Sequence, residues 1–66
     1  MEYEIKLIKT HDLYPNLEVM TKHQGIKAWR KVLRVKKENE RLYHVVFDDG
    51  LNALLDVQFE NICRFN

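Results

Sequence analysis

The residues of this chain that could take part in covalent chemistry are one cysteine and three histidines. The chain contains no serine, so a Ser-His-Asp triad is excluded. Cys63 with His23 or His44 as its base would form a nucleophile and base pair. Cys63 follows Ile62 in an apolar stretch, however, where a cysteine is more often a small buried residue than a nucleophile. The sequence therefore predicts a protein that is not an enzyme.

Metal ions and phosphate groups have no recognisable site in the sequence. A structural zinc ion usually has more than one cysteine ligand, and the three histidines lack the close spacing of zinc ligands: His11, His23 and His44. Asp48 and Asp49 are adjacent, and adjacent residues of an extended chain point to opposite faces, so we expect turn residues rather than paired carboxylates. Neither of the two glycines lies in a phosphate-binding loop. We therefore expect no metal and no cofactor.

The basic residues are concentrated in the middle of the chain. The segment from Lys22 to Arg41 has eight basic and two acidic residues, a net charge of +6, and the remainder has three basic and eight acidic residues, a net charge of −5. Six of the basic residues lie close to Trp29: Lys27, Arg30, Lys31, Arg34, Lys36 and Lys37. Lysine and arginine contact phosphates, and aromatic rings stack on bases. The segment 27–37 therefore predicts binding of DNA or RNA as one possible function.

The length and composition of the chain limit its architecture. A domain of 66 residues buries only about 60% of the surface of its unfolded chain, so we expect a single domain with a shallow site. One cysteine excludes an internal disulfide, which small secreted domains usually need. The N-terminus is charged where a signal peptide is apolar, and no apolar stretch has membrane-spanning length. These features predict an intracellular, cytoplasmic protein that does not bind a membrane.

Alternation and turn residues predict mostly β-structure. The N-terminal residues alternate between charged and apolar, as in a half-buried strand with three apolar members: Tyr3, Ile5 and Leu7. The apolar segments 42–47 and 51–57 flank the turn dipeptide Asp49-Gly50, which predicts a β-hairpin. A closing strand is expected at 62–65.

The segment 26–37 fits two kinds of secondary structure. On a helical wheel its apolar residues share one half, which favours a basic amphipathic helix. Its three β-branched residues and the need of the hairpin for partner strands favour a strand. The choice affects function, because a helix would place four basic residues on one face, whereas a strand would divide the basic residues between two faces.

From Glu18 to Phe65, the order of these features resembles a Tudor domain, a small SH3-like barrel. The resemblance is carried by one strand, one turn, a strand opened by an aromatic residue, and a short motif: Glu18-Val19-Met20, Gly25, Trp29, and Phe47-Asp48-Asp49-Gly50. It implies a mainly β fold, a small SH3-like or Tudor-like five-stranded barrel over 17–66, with 1–16 as an N-terminal strand and turn extension of the same domain. The alternative is an α+β fold in which one basic amphipathic helix packs on a hairpin-containing sheet.

Tudor domains that read methylated lysine or arginine hold the cation in a cage of about four aromatic side chains and an acidic residue. The resemblance implies cage-like positions for Trp29, Phe47 and Asp49. At one other cage position, where an aromatic residue is expected, this chain has His23, and at another it has Leu51 or Ala53. The resemblance thus implies only a partial cage.

The leading functional hypothesis is a non-enzymatic module that binds another protein through a Tudor-like rim: Trp29, Tyr43, Phe47 and Asp49. The first alternative is a nucleic-acid-binding protein that uses the basic segment 27–37. The second, which rests on the small size of the chain, is an accessory protein or phage-type inhibitor that blocks a larger host protein.

Overall fold

The structure is a computed structural model that describes residues 2–65, and six strands account for most of them. They are β1 (Glu4–Lys9), β2 (Glu18–His23), β3 (Ile26–Lys37), β4 (Leu42–Phe47), β5 (Asn52–Asp56) and β6 (Glu60–Phe65), with one 3₁₀ turn at Thr10–Asp12. The prediction of a mainly β fold is confirmed. The alternative of a basic helix is wrong, because the whole segment 26–37 is a strand with partners on both sides.

The six strands form one antiparallel sheet in the order β1-β6-β2-β3-β4-β5. The predicted five-stranded barrel is therefore incorrect in two respects. The N-terminal strand β1 adds a sixth strand beside β6, and the sheet is not closed into a barrel, since β2 and β6 share only two residue pairs and β5 pairs only with β4 among the described strands. The small all-β fold is compatible with an SH3-like domain.

The two faces of the sheet differ in what they cover. We call the face toward the hydrophobic core the inner face, and five of its side chains are at most 1% exposed: Val19, Val32, Val45, Phe47 and Cys63. Leu13 and Leu17, from the connection before β2, complete the core cluster. The opposite face is called the outer face below. In a strand, successive side chains alternate between the two faces, so the paired registers assign each residue to one of them.

The hairpin turns follow from residues that tolerate a positive φ. Gln24 and Gly25 connect β2 to β3 with φ of 51° and 79°, as a two-residue hairpin turn requires. Gly50 has a φ of 91°, and its N–H donates to the carbonyl of Phe47 in the turn between β4 and β5. The predicted β-hairpin around Asp49-Gly50 is confirmed, as is the closing strand β6.

The long strand β3 contains a β-bulge that changes the alternation of its side chains. Its partner on β4 shifts from Phe47 opposite Val32 to Val46 opposite Arg34, so Leu33 is an extra residue. Side chains after Leu33 therefore alternate in the opposite phase from those before it. This shift decides which basic residues share a face.

Candidate functional site

The structure does not bring the four predicted rim residues together. Phe47 is 1% exposed in the core, whereas Trp29 lies on the outer face, because its neighbour Arg30 pairs with the buried Val19. Tyr43 is on the inner face at the start of β4, two residues before the buried Val45. The strand predicted for 26–37 is confirmed. The indole of Trp29 and the phenyl ring of Phe47 do not meet, however, because Trp29 is an odd number of residues from the inward-facing Val32 and therefore faces outward.

Trp29 contacts a cation of its own chain. The guanidinium group of Arg64 lies 4.5 Å from the Trp29 ring centroid and 4.3 Å from that of Tyr3. Two further contacts hold Arg64, with its Nε 3.1 Å from Oε1 and its Nη2 3.2 Å from Oε2 of Glu18. These hydrogen bonds lower the pKa of the Glu18 carboxyl. Stacking on both rings thus joins β6 to β3 and to the residue before β1 across the outer face.

Asp49, the predicted acidic member of a cage, is held by a basic residue. Nε of Arg30 donates to Oδ2 of Asp49 at 2.6 Å, and Nη1 of Arg30 donates to the hydroxyl of Thr21. The hydrogen bond from Arg30, followed by that from the N–H of Leu51, lowers the pKa of the Asp49 carboxyl. The carboxylate and the guanidinium group therefore satisfy each other, which removes Arg30 from the free cations of the predicted basic segment.

Most of the remaining basic segment lies on the outer face. Before the bulge, Lys27 and Lys31 are each an odd number of residues from the inward-facing Val32; after it, the phase change also turns Arg34 and Lys36 outward. Lys22 of β2 pairs with Lys27 and joins them. All five are exposed, and none forms an ion pair with a carboxylate of residues 2–65. We call them the basic row: Lys22, Lys27, Lys31, Arg34 and Lys36.

Lys37 differs from the basic row, since it pairs with Tyr43 and shares the inner face. The sequence-based expectation was that a strand would simply divide the basic residues between two faces. The bulge at Leu33 changes this outcome, and neither glycine nor proline marks it in the sequence.

Apolar side chains are exposed on the outer face of β1 and β6. Leu7 of β1 pairs with Ile62 of β6, and these are 60% and 46% exposed, with Ile5 at 55%. The sequence predicted a half-buried strand with Tyr3, Ile5 and Leu7 as its apolar members. The register instead turns Ile8 toward the core and leaves Ile5 and Leu7 exposed on the outer face.

The inner face carries a cleft of about 350 Å³ between β2 and β5, two strands that do not pair with each other. Its walls include three residues that the Tudor resemblance placed at cage positions: His23, Leu51 and Ala53. Among the members that sequence reasoning missed are Phe59 and Asn61. Phe59 follows a turn and is 54% exposed, and Asn61 is 3% exposed. No periodicity identifies either one, because both depend on how β6 returns beside β2.

Cys63 and His44 lie on opposite faces of the sheet and do not form a nucleophile and base pair. Cys63 is fully buried on the inner face, and burial raises the pKa of its thiol to about 11. His44 lies on the outer face, with its Nε2 2.7 Å from Oδ1 of Asn52. No cluster of three or more potential metal ligands occurs among residues 2–65.

Comparison of the chain with protein-family models, with curated proteins and with solved structures finds no match in any of the three. No helix within residues 2–65 has the length and apolar character needed to cross a membrane.

Proposed function

We propose that the chain is a non-enzymatic nucleic-acid-binding protein that holds the sugar-phosphate backbone against the basic row. The observation that carries this proposal is the bulge at Leu33, which aligns cations from both halves of β3 on one face. These cations are exposed, and none forms an ion pair with a carboxylate of the described residues, although Lys31 is opposite Glu18 in the register. Counterion release from the nucleic acid would then drive binding.

The length of the row suits an extended polyanion. From Lys27 to Lys36, the strand extends over at most about 30 Å at about 3.3 Å per residue, comparable to nine steps of about 3.4 Å along one DNA strand. Since Arg64 already stacks on Trp29, the indole contributes less to base stacking than an aromatic ring with both faces free. We therefore expect backbone contacts with little sequence preference and a strong salt dependence.

The test is fluorescence anisotropy with labelled single- and double-stranded DNA and RNA across a range of salt concentrations. In the parent protein, the logarithm of affinity should fall linearly with the logarithm of salt. The double variant Lys27→Glu/Lys31→Glu should bind much more weakly, with a slope smaller by about two. Its control, Lys9→Glu/Lys37→Glu, changes the net charge equally at exposed positions off the row. Equal losses in both double variants, or no binding by the parent at low salt, would contradict the proposal.

Protein recognition is the second candidate, and the exposed apolar residues on the outer face favour it: Ile5, Leu7 and Ile62. Blocking of a larger host protein would be one form of this function. A Tudor-like identity stays a proposal. The compatibility of the fold with an SH3-like domain supports it, whereas the separation of Trp29 from Phe47 does not. Affinity purification with and without nuclease distinguishes the two candidates, and a cytoplasmic location fits both.

A further inference from the structure

The cleft on the inner face lies between two strands that each lack a neighbour. Residues 20–23 of β2 pair only with β3, and β5 pairs only with β4, so both strands present a free edge within the described chain. The floor of the cleft is formed by the core residues Val19 and Phe47, and its sides by Leu51, Leu55 and Phe59. Its volume of about 350 Å³ and mainly apolar walls fall in the range of sites that bind small organic groups.

Asn61 contributes a hydrogen-bond acceptor to this cleft. Its Nδ2 lies 3.1 Å from the carbonyl of Ile8, 3.3 Å from that of Phe59 and 3.1 Å from the hydroxyl of Thr10. Carbonyl oxygens only accept hydrogen bonds, so the amide nitrogen must face them and Oδ1 must point elsewhere. None of residues 2–65 donates to Oδ1.

The free oxygen of Asn61 is open to the cleft. Within the described chain, every side-chain nitrogen or oxygen that is sealed from solvent has a hydrogen-bond partner. Oδ1 has none, so solvent must reach it, although the residue as a whole is 3% exposed. Asn61 lines the cleft, which is therefore the opening through which a donor can approach. A buried acceptor that lacks a donor destabilises the folded state unless water or a ligand donates a hydrogen bond to it.

The charges around the cleft determine which ligand it suits. The ionisable residues that line it are Lys22 and His23, and no carboxylate is among the lining residues. Asp49, the acidic residue that the Tudor resemblance suggested for a cage, is paired with Arg30. A methylated lysine or arginine would therefore bring a positive charge toward Lys22 with no carboxylate to compensate it. The ligand should be an uncharged apolar group with a single donor.

We propose that the cleft binds the indole ring of a tryptophan side chain in an extended segment of a partner protein, with the indole N–H donated to Oδ1 of Asn61. An indole is apolar, uncharged and donates one hydrogen bond without accepting any, which matches an oxygen that only accepts. The free edges of β2 and β5 can pair with the backbone of the segment. Of the basic row, only Lys22 lines the cleft, so variants of Lys27 and Lys31 separate the two proposed sites.

The experiment is a titration of the ¹⁵N-labelled full chain, followed by two-dimensional NMR, with N-acetyl-tryptophanamide as the probe. Saturable shifts should appear in the millimolar range at amides of the cleft: Thr21, His23, Ala53 and Asn61. The 1-methylindole analogue, which lacks the donor, should bind about 2- to 10-fold more weakly, as expected for one hydrogen bond. Free indole has no backbone amide that could pair with the strand edges, so it should bind more weakly than N-acetyl-tryptophanamide.

Two variants test the location of the site. Ala53→Phe fills the cleft without removing a polar contact and should abolish the shifts, whereas Lys27→Glu/Lys31→Glu should respond to the probe like the parent. Asn61→Asp keeps an acceptor oxygen but loses the N–H groups that donate to the carbonyls of Ile8 and Phe59. This variant is therefore measured only if it remains folded. The proposal is overturned by absent shifts, by equal affinity of the 1-methyl analogue, or by tighter binding of N-acetyl-trimethyllysine amide. None of these results would affect the proposal for the basic row.

Discussion

The guanidinium group of Arg64 lies 4.5 Å from the ring centroid of Trp29, on the face of the sheet that does not cover the core. The indole that the sequence suggested as a ligand-binding ring is therefore engaged within the chain. Glu18 orients the same guanidinium group through two hydrogen bonds. Together with the ring of Tyr3, these contacts make a cross-strand clamp rather than a cage, and they account for the half-buried state of Trp29.

The separation of core and surface aromatics can be measured with matched substitutions. Phe47→Leu should lower the free energy of unfolding by about 1 to 2 kcal/mol, because it removes contacts from a side chain that is 1% exposed. Phe59→Leu should change it by no more than about 0.5 kcal/mol, since Phe59 is 54% exposed. Urea denaturation gives both values. Similar effects of the two substitutions would contradict the placement of Phe47 in the core.

The two lysines at the end of β3 should differ in their effect on nucleic-acid binding. Lys36 faces outward with the basic row, and Lys37 pairs with Tyr43 on the inner face. Lys36→Glu should reduce the salt-dependence slope by about one, whereas Lys37→Glu should leave it unchanged. The measurement is anisotropy of a labelled oligonucleotide at several salt concentrations. An equal effect of both variants would indicate a response to net charge alone.

The contact between Glu18 and Arg64 should make stability depend on acid pH. The pKa of Glu18 in the folded state is below its ordinary value of 4.5, so the unfolded chain binds more protons in this range. The stabilisation is present above pH 4.5 and is lost as the pH falls through the lowered pKa. Glu18→Gln should therefore be less stable than the parent near neutral pH, and the difference should shrink in acid.

Thermal unfolding of both proteins between neutral pH and acid checks this dependence. Glu40→Gln, in the exposed loop before β4, is the matched control, and its unfolding midpoint should follow that of the parent at each pH. A difference between the parent and Glu18→Gln that stays constant with pH would mean that the carboxylate charge does not stabilise the fold.

The thiol of Cys63 should be unreactive in the folded protein. It is fully buried, and its pKa is raised to about 11, so very little thiolate exists near neutral pH. A chromogenic disulfide reagent should react with it at neutral pH only when urea unfolds the chain. Fast reaction without denaturant would show that β6 opens readily from the core.

The sequence was most informative where local patterns coincide with strand pairing. The hairpin around Asp49-Gly50 could be predicted because a positive φ at Gly50 and flanking β-branched residues suffice to define it. The bulge at Leu33 could not, because it depends on the register between β3 and β4 rather than on a special residue type. The cation–π contacts of Arg64 also depend on strand order, since they join residues far apart in the sequence.

The open sheet also has a mechanical consequence. Strands β1 and β6 form a long ribbon with six residue pairs, and β6 joins β2 through two, Glu18 with Arg64 and Val19 with Cys63. Separation of these two pairs would detach the ribbon while every pairing inside it, and inside the meander of β2 to β5, stays intact. The clamp at Arg64 thus reinforces the junction with the fewest residue pairs among the described strands, and amide exchange in β6 reports how often that junction opens.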